Sequence, residues 1–352
     1  MANSNLTVAN LDFTSIKSNL QTYLTGQTVF KDFDFDGSNL NVMLDVLAYN
    51  TYMNNFYLNM VAGESFLDSA QLRDSVVSHA KILNYLPSSS TSSKASINLN
   101  VYPDDSPSSI VIPKYTAFTS MVGSNTYTFT TDEGRTIFAD SNGNYSTTGL
   151  DIYEGEVVTE LYSFDTANTS QRFVLSNKDV DTSSLTINVT KSTSDFSNST
   201  WTKAAGIAGM TGESNNYFIE PCENEKYEVQ FGDGVIGRPL ENGNIITAKY
   251  RRASANNSDG ASTFALSGDI QGYSNVFISV AANSTGGGGA ESISSIKFNA
   301  PKSISIQDRL VTIQDYKTLL KQEFNDIEAI NVYGGDTVNP PKFGKVIISV
   351  DL

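Results

Sequence analysis

The stretch Phe218–Gly260 reads FIEPCENEKYEVQFGDGVIGRPLENGNIITAKYRRASANNSDG. Tyr227, Val229 and Phe231 alternate with Glu228 and Gln230, the two-residue period of a half-buried strand. Gly232-Asp233-Gly234 breaks that strand. Asn242-Gly243 is a two-residue hairpin signal, since both central positions of such a turn favour positive φ. A returning strand places Ile246, Ala248 and Tyr250 on one face and Thr247, Lys249 and Arg251 on the other. The expected hairpin sets Glu228 opposite Lys249 or Arg251, with Arg238-Pro239 in the intervening loop, because Pro239 has no N–H to give a ladder.

Working outward, residues 94 to about 290 keep a β pattern. Ala95, Ile97, Leu99 and Val101 alternate strictly, and short strands are expected at Tyr127 and Phe129, Val157–Phe164, Arg172–Leu175 and Leu185–Val189. Turn signals such as Asn142-Gly143 separate them, which reads as sandwich-like or barrel-like sheets. Gly286–Gly289 reads as a flexible joint; a phosphate loop needs a following Gly-Lys-Ser/Thr that is absent. After it, a short helix is expected over Glu291–Asn299, stopped by Pro301. A second runs over Thr312–Phe324, capped by Thr312 with Asp315, and buries Tyr316, Leu319, Leu320 and Phe324. Strands at Ile327–Val332 and Lys345–Val350 complete a small α+β module.

Upstream, the pattern is helical. Phe13, Ile16, Leu20 and Leu24 form one stripe, ended by Gly26. Asp32, Asp34, Asp36 and Gly37 match the opening of an EF-hand loop, but Met43 stands where the closing bidentate Glu is needed, so Asp36 or Ser38 reads better as a helix cap. Leu40–Ala62 is the informative helix. At 100° per residue, Leu40, Met43, Leu44, Leu47, Leu58 and Val61 share one face; Val42, Val46, Tyr49, Met53, Phe56 and Met60 share roughly the opposite one. Only the wedge with Asn41, Asp45, Asn55 and Asn59 is polar. Two apolar faces mean contacts on two sides. The helix is either internal to its own domain or covered on one side by another subunit. A further helix is expected over 65–84, with His79, the only histidine, in a structural place. Pro87 and the run SSSTSS at 88–93 read as a hinge or a domain boundary.

The organisation expected is α+β and multidomain: a helical arm over 1–87, a β-rich domain over 88–215, a hairpin module over 216–289 and an α+β module over 290–352. The chain has 352 residues and a net charge of −15, which argues against a nucleic-acid surface. A single cysteine, Cys222, excludes an intrachain disulfide. The N-terminus has no signal-peptide pattern, and no run reaches the ~18 apolar residues of a membrane span. No cofactor or metal is expected. His79 and Cys222 lie in different modules, zinc sites and histidine triads lack members, and paired carboxylates are the only enzymatic route left.

FGDGVIGRPLENGNIITAKYRR followed by NNSDGA resembles the signature of the baseplate-J-like family, which builds baseplate wedges of contractile phage tails and related injection machines. The residues carrying it are Phe231, Gly232, Asp233, Gly234, Gly237, Arg238, Gly243 and Tyr250. The stretch FDFDGSNLNVMLDVLAYNTYMNNFYLNMVAGESFLDSAQLRDSVVSHAKILNYLPSSS, with VTIQDYKTLLKQEF near the end, is similar to the large wedge subunits of T4-like phages. The resemblance implies a structural protein without catalysis. Its helical arm, through Leu40, Met43, Leu44, Val46, Leu47, Tyr49, Met53, Phe56 and Met60, would join a bundle with other wedge subunits. A second copy of the chain, the tail hub and sheath-initiating neighbours are the further partners implied, with no nucleic acid and no membrane. The sequence stops at Asp351-Leu352, straight after an apolar strand, and larger wedge relatives continue further, which implies a fragment or a shortened version. The competing reading is a host-surface or carbohydrate-binding virion protein. That reading wants an exposed Trp or Tyr on the β modules, and the only tryptophan is Trp201.

Overall fold

The computed structural model describes residues 7–28, 37, 39–204, 206, 209–306, 310–323, 327 and 329–351. The EF-hand-like aspartates, both candidate caps at 36 and 38, and Phe324 lie outside the described residues. The chain divides into two units, Met1–Ile82 and Leu83–Leu352. The fold is α+β and multidomain: a helical region first, two large sheets next, and a small α/β region last.

The first unit holds α1 (Phe13–Thr25), α2 (Asn39–Glu64) and α3 (Arg73–Ile82). Asp12 caps α1, its carboxylate accepting from Thr14 N–H and Ser15 N–H at 3.3 and 3.0 Å. Those bonds, with that from the Ser15 hydroxyl, hold the Asp12 carboxyl below its usual range. The helix expected over 65–84 begins only at Arg73. Residues 65–72 instead fold into a turn, because the Glu64 carboxylate accepts from Gln71 N–H and Leu72 N–H and Ser69 Oγ donates to Gly63 O at 2.6 Å. His79 Nε2 sits 2.8 Å from Glu64 O, in the structural role expected of it.

The second unit carries β1 (Lys94–Val101), β2 (Ser109–Ile112), β3 (Ala117–Val122), β4 (Asn125–Thr131), β5 (Arg135–Phe138), β6 (Tyr145–Glu154) and β7 (Glu156–Ser163). There follow β8 (Phe173–Val174), β9 (Val180–Thr190), β10 (Asn198–Lys203), β11 (Asn216–Pro221), β12 (Tyr227–Phe231), β13 (Ile245–Arg252), β14 (Ala265–Leu266) and β15 (Val276–Thr285). One sheet has the order β14-β3-β4-β6-β1-β15 and the other β7-β13-β9-β10-β11-β12-β8. Strand pairing therefore groups residues 94–154 with 265–285, and 156–203 with 216–252. This differs from the division expected at 215 and 216. The alternating residues of β1 are all buried, with Ala95, Ile97, Leu99 and Val101 at 1% exposure or less. They pack with Phe118, Phe129 and Ile152 in one core, while Ile187, Trp201, Tyr217, Val229 and Tyr250 build the other.

The expected hairpin does not form. β12 and β13 share a sheet but are separated in it by β11, β10 and β9. Glu228 faces Arg172 instead, which donates from Nε at 3.0 Å and Nη2 at 2.8 Å. The connection is too long to set register as a tight turn, so both strands take their neighbours from elsewhere in the chain. Its last turn follows the sequence signal in part: Asn244 N–H donates to Glu241 O at 3.0 Å and Gly243 has φ +84°, but Asn242 does not take the positive φ expected of it.

Two supposed joints are locked seams. Ser89, Ser90, Ser92 and Ser93 are at most 8% exposed. Ser92 Oγ donates to Asp181 at 2.7 Å and Ser93 Oγ to Asp259 at 2.6 Å. The Gly286–Gly289 run packs against the same segment: Thr91 and Gly288 exchange backbone bonds of 2.8 and 3.2 Å, and a Cβ on Gly287 would lie 2.3 Å from Ala255 O. These glycines serve close backbone approach rather than looseness.

α4 (Ile293–Ile306) continues through Pro301 rather than stopping before it. The helix gives up one backbone bond there, and among the described residues its buried ones, Ile296 and Ala300, both come before the proline. α5 (Ile313–Glu323) has the capping box expected, Asp315 N–H donating to Thr312 Oγ1 at 3.2 Å and Thr312 N–H to Asp315 Oδ2 at 2.7 Å. β16 (Ala329–Gly334) and β17 (Val346–Asp351) pair antiparallel beside it.

The seam can be tested by adding one methyl group. Gly287→Ala should destabilise the chain by about 1–3 kcal/mol, the usual cost of overpacking. Gly289→Ala, whose nearest neighbour would be 4.0 Å away, should leave the unfolding midpoint nearly unchanged. Equal midpoints for the two variants in thermal or denaturant unfolding would restore the flexible-joint reading.

Candidate functional site: an exposed apolar helix and a clamped loop

α2 is covered on the side that its sequence makes polar. The segment before α1 lies along Asn55 and Asn59. Asn59 Oδ1 accepts from Val8 N–H and Ala9 N–H at 2.7 and 2.8 Å, and its Nδ2 donates to Ala9 O at 2.8 Å. Asn55 Nδ2 donates to Asn10 O at 2.8 Å. Lys17 of α1 pairs with Asp45 at 2.6 Å. Between these polar contacts only Leu44 and Ala48 of α2 are buried. Asn55 and Asn59, four apart on one helix face, were read from sequence as part of a polar wedge; that the wedge binds the chain's own residues 8–10 was what sequence reading missed.

Both apolar faces are therefore open. Val42, Met43, Val46, Leu47, Tyr49, Phe56, Tyr57, Leu58, Met60 and Val61 are all exposed, from 45% at Phe56 to 66% at Val61. Leu40 and Met53 are half-buried, and Leu44 alone of the expected face residues is fully buried. The expectation that the arm's own helices would cover one apolar face is not met. Backbone groups of residues 8–10 need amide partners, and the asparagines supply them where leucines would not. A pocket of about 360 Å³, lined among others by Leu11, Phe56, Met60 and Leu72, opens beside this surface.

The loop Gly232–Arg238 is the second feature. Gly237 has φ +81°, and a Cβ on Gly232 would lie 2.2 Å from its carbonyl. A Cβ on Gly212 would lie 2.0 Å from Gly234 O, so the loop crosses residues 211–214 backbone to backbone. Gly237 N–H donates to Thr211 O at 3.2 Å and Arg238 N–H to Ser214 O at 2.9 Å. Asp233 accepts from Ile236 N–H and Val235 N–H, both at 2.9 Å, and these bonds hold its carboxyl below the usual range. Phe231 stacks edge-on with Trp201, their centroids 5.1 Å apart. Tyr250, 1% exposed, donates to Glu160 at 2.5 Å; burial, then that carboxylate, pushes its hydroxyl up to about 12. These residues hold a fold and bring no reactive group into a cleft.

Where the two large sheets touch, Arg251 is the bridging cation. Its Nη2 donates to Asp132 at 2.8 Å and its Nε to Thr130 Oγ1 at 3.2 Å, with 3% of the side chain exposed. Glu154, also 3% exposed, accepts from Ser254 N–H at 3.0 Å. Burial raises the Glu154 carboxyl above the ordinary glutamate range, against the Ser254 bond that lowers it, and the nearby Asp181 and Asp259 add to the rise. Among the described residues, no group of three His, Cys, Asp or Glu side chains could hold a metal ion, and no helix is long and apolar enough to cross a membrane.

An arm whose long helix leaves its apolar faces open is what an assembly protein offers a partner, and the comparisons point to proteins of that class. Residues 12–85 match the model described as baseplate wedge protein gp6-like, helical domain, and residues 312–351 match baseplate structural protein gp6, C-terminal domain I. The matches thus cover the helical segment near the start and the small α/β segment near the end, and both descriptions are of baseplate structural proteins. The chain is 28% identical over 353 aligned positions to baseplate wedge protein gp6 of Enterobacteria phage T4, covering 92% of this chain and 52% of that protein. It spans about half the length of the curated relative it matches. Among solved structures it is similar to a chain of the anti-feeding prophage baseplate, with 12% identity, 91% of this chain and 57% of that chain covered, and a TM-score of 0.33.

Glu154 gives a pH test. A carboxyl raised in the folded state favours folding when protonated, so its contribution is present at acid pH and is lost as pH rises through its folded value. Glu154→Gln keeps an oxygen for Ser254 N–H and carries no charge. The variant should therefore gain on the parent chain as pH rises from the ordinary glutamate range toward neutrality, and the gap should then level off. A gap between the two unfolding curves that does not change with pH would show that Glu154 is not held out of water.

Proposed function

We propose that this chain is a structural subunit of a contractile-tail baseplate wedge in a phage virion, assembled in the host cytoplasm and built into the ring around the tail hub. The observation that carries the reading is the open apolar surface of α2. Ten large apolar side chains lie exposed on one helix, and covering even half of them would be worth on the order of 10 kcal/mol. A soluble monomer has no use for such a surface; a helix of a neighbouring wedge subunit laid along it does. The two gp6-like segments support the same reading. The finer parts of it are that Leu40, Met43, Leu44, Val46, Leu47, Tyr49, Met53, Phe56 and Met60 belong to that contact, that a second copy and hub or sheath-initiating neighbours join the assembly, and that shifts in these contacts help pass on the trigger for contraction. The baseplate-J-like resemblance of Phe231–Arg251 belongs with it, supported by the clamped loop. Net charge leaves nucleic acid out of the proposal.

The carbohydrate-binding reading is not favoured. It called for an exposed tryptophan or tyrosine on the β modules; Trp201 is 4% exposed, wedged against Phe231, and Tyr102, at 46%, is exposed without that tryptophan beside it on the surface.

The test compares three aspartate substitutions in α2. Val46→Asp and Leu47→Asp, on the two open faces, should keep the melting temperature of the isolated chain and abolish its co-purification with co-expressed wedge subunits. Leu44→Asp, at a position 2% exposed, should destabilise the isolated chain by several kcal/mol. Normal assembly by both surface variants would remove the helix from the interface.

A further inference from the structure

We propose that the outer edge of β15 receives an extended segment of a different polypeptide, added as a seventh strand to the six-stranded sheet. The inference does not rest on the wedge reading.

The two large sheets end in four edge strands, and three carry the usual protection against pairing with other chains. β14 and β8 are two residues long. β7 bears Glu156 and Glu160, and charge on an edge discourages a partner strand. β15 has neither device. Its ten residues, VFISVAANST, include no charge and no proline. Among the described residues it pairs with β1 alone. Near its end, Gly260 N–H donates to Ser284 O at 2.8 Å and Ser284 N–H to Ala261 O at 3.0 Å, which closes that position. From Val276 to Asn283, no described strand lies on the side away from β1. Val276 and Ile278 pack against the core and hold the strand in place, while Phe277 is 57% exposed. Such an edge offers a row of unused N–H and C=O groups, which is what strand addition uses.

Two observations choose the occupant. A second copy adding its own β15 would double the six-stranded sheet, past the ~10 strands at which open twisted sheets usually stop. It would also bring together chains of charge −15 each. The Val276 end of the edge, moreover, is acidic. Asp104 and Asp105 are exposed just past β1, and Asp105 accepts from the Tyr273 hydroxyl at 2.7 Å. The occupant is an extended segment of alternating apolar and small polar residues, with Lys or Arg at the end that meets Asp104 and Asp105.

The experiment uses the full chain and two synthetic peptides, KKTVTVTV and EETVTVTV. The basic peptide should bind and slow amide exchange across 276–283. The acidic one should bind at least about tenfold more weakly, and Asp104→Asn with Asp105→Asn should remove that difference. Ala281→Pro and Ala282→Pro place the missing N–H on opposite edges. The variant that keeps its melting temperature should lose the peptide; retained binding in it would overturn the proposal. Three further results would also overturn it: no binding at ~1 mM peptide, protection on β7 in place of β15, or peptide-free self-association that protects 276–283, which would give the edge to a second copy.

Discussion

The second unit depends on how it accommodates carboxylates taken out of water. Glu154 and Asp181 are each 3% exposed, and Asp259 is half-buried near them. An unpartnered buried carboxylate costs several kcal/mol, so each must be met by donors. Asp181 takes the hydroxyls of Ser92 and Ser183, Asp259 takes Ser93 and Gly287 N–H, and Glu154 takes Ser254 N–H. Short hydroxyl side chains reach these acids without crowding the backbones that carry them. The serine run 88–93, the glycine run 286–289 and the segment 254–261 are drawn into one place by this single requirement. Arg251 then ties β13 to the end of β4 from the other side.

Local signals in the sequence translated well. The alternation in β1, the Thr312 end of α5 and the positive φ at Gly243 all depend on a few neighbouring residues. What failed was partnership at a distance. Tyr227–Phe231 and Ile245–Arg252 were recognisable as strands, but nothing in them says that β11, β10 and β9 come between. The serines and glycines were misread because a linker and a polar seam share one composition; only the position of Asp181 and Asp259 in three dimensions separates them. Pro301 was misread as a stop because a proline removes only one backbone bond, and α4 runs on through it to Ile306.

The candidate site shows the same divide in one helix. That α2 has two apolar faces could be counted from the sequence at 100° per residue. Which sector its own unit covers could not, because the answer lies in backbone groups of residues 8–10 seeking amides. Asn55 and Asn59 read as solvent-facing on any hydropathy scale, yet they are where the chain closes on itself. The loop around Gly232 was legible as a motif, and the reason for its glycines became plain only when residues 211–214 were seen crossing it.

β6 runs into β7 through a single residue. Gly155, with φ +128° and no room for a Cβ beside Arg252 O at 2.9 Å, is all that separates a strand of one sheet from a strand of the other. A pull applied to either sheet along this line is carried by covalent backbone, and across each sheet by ladders of hydrogen bonds loaded together in shear. Side-chain contacts between the sheets then need only set the angle, not bear the tension.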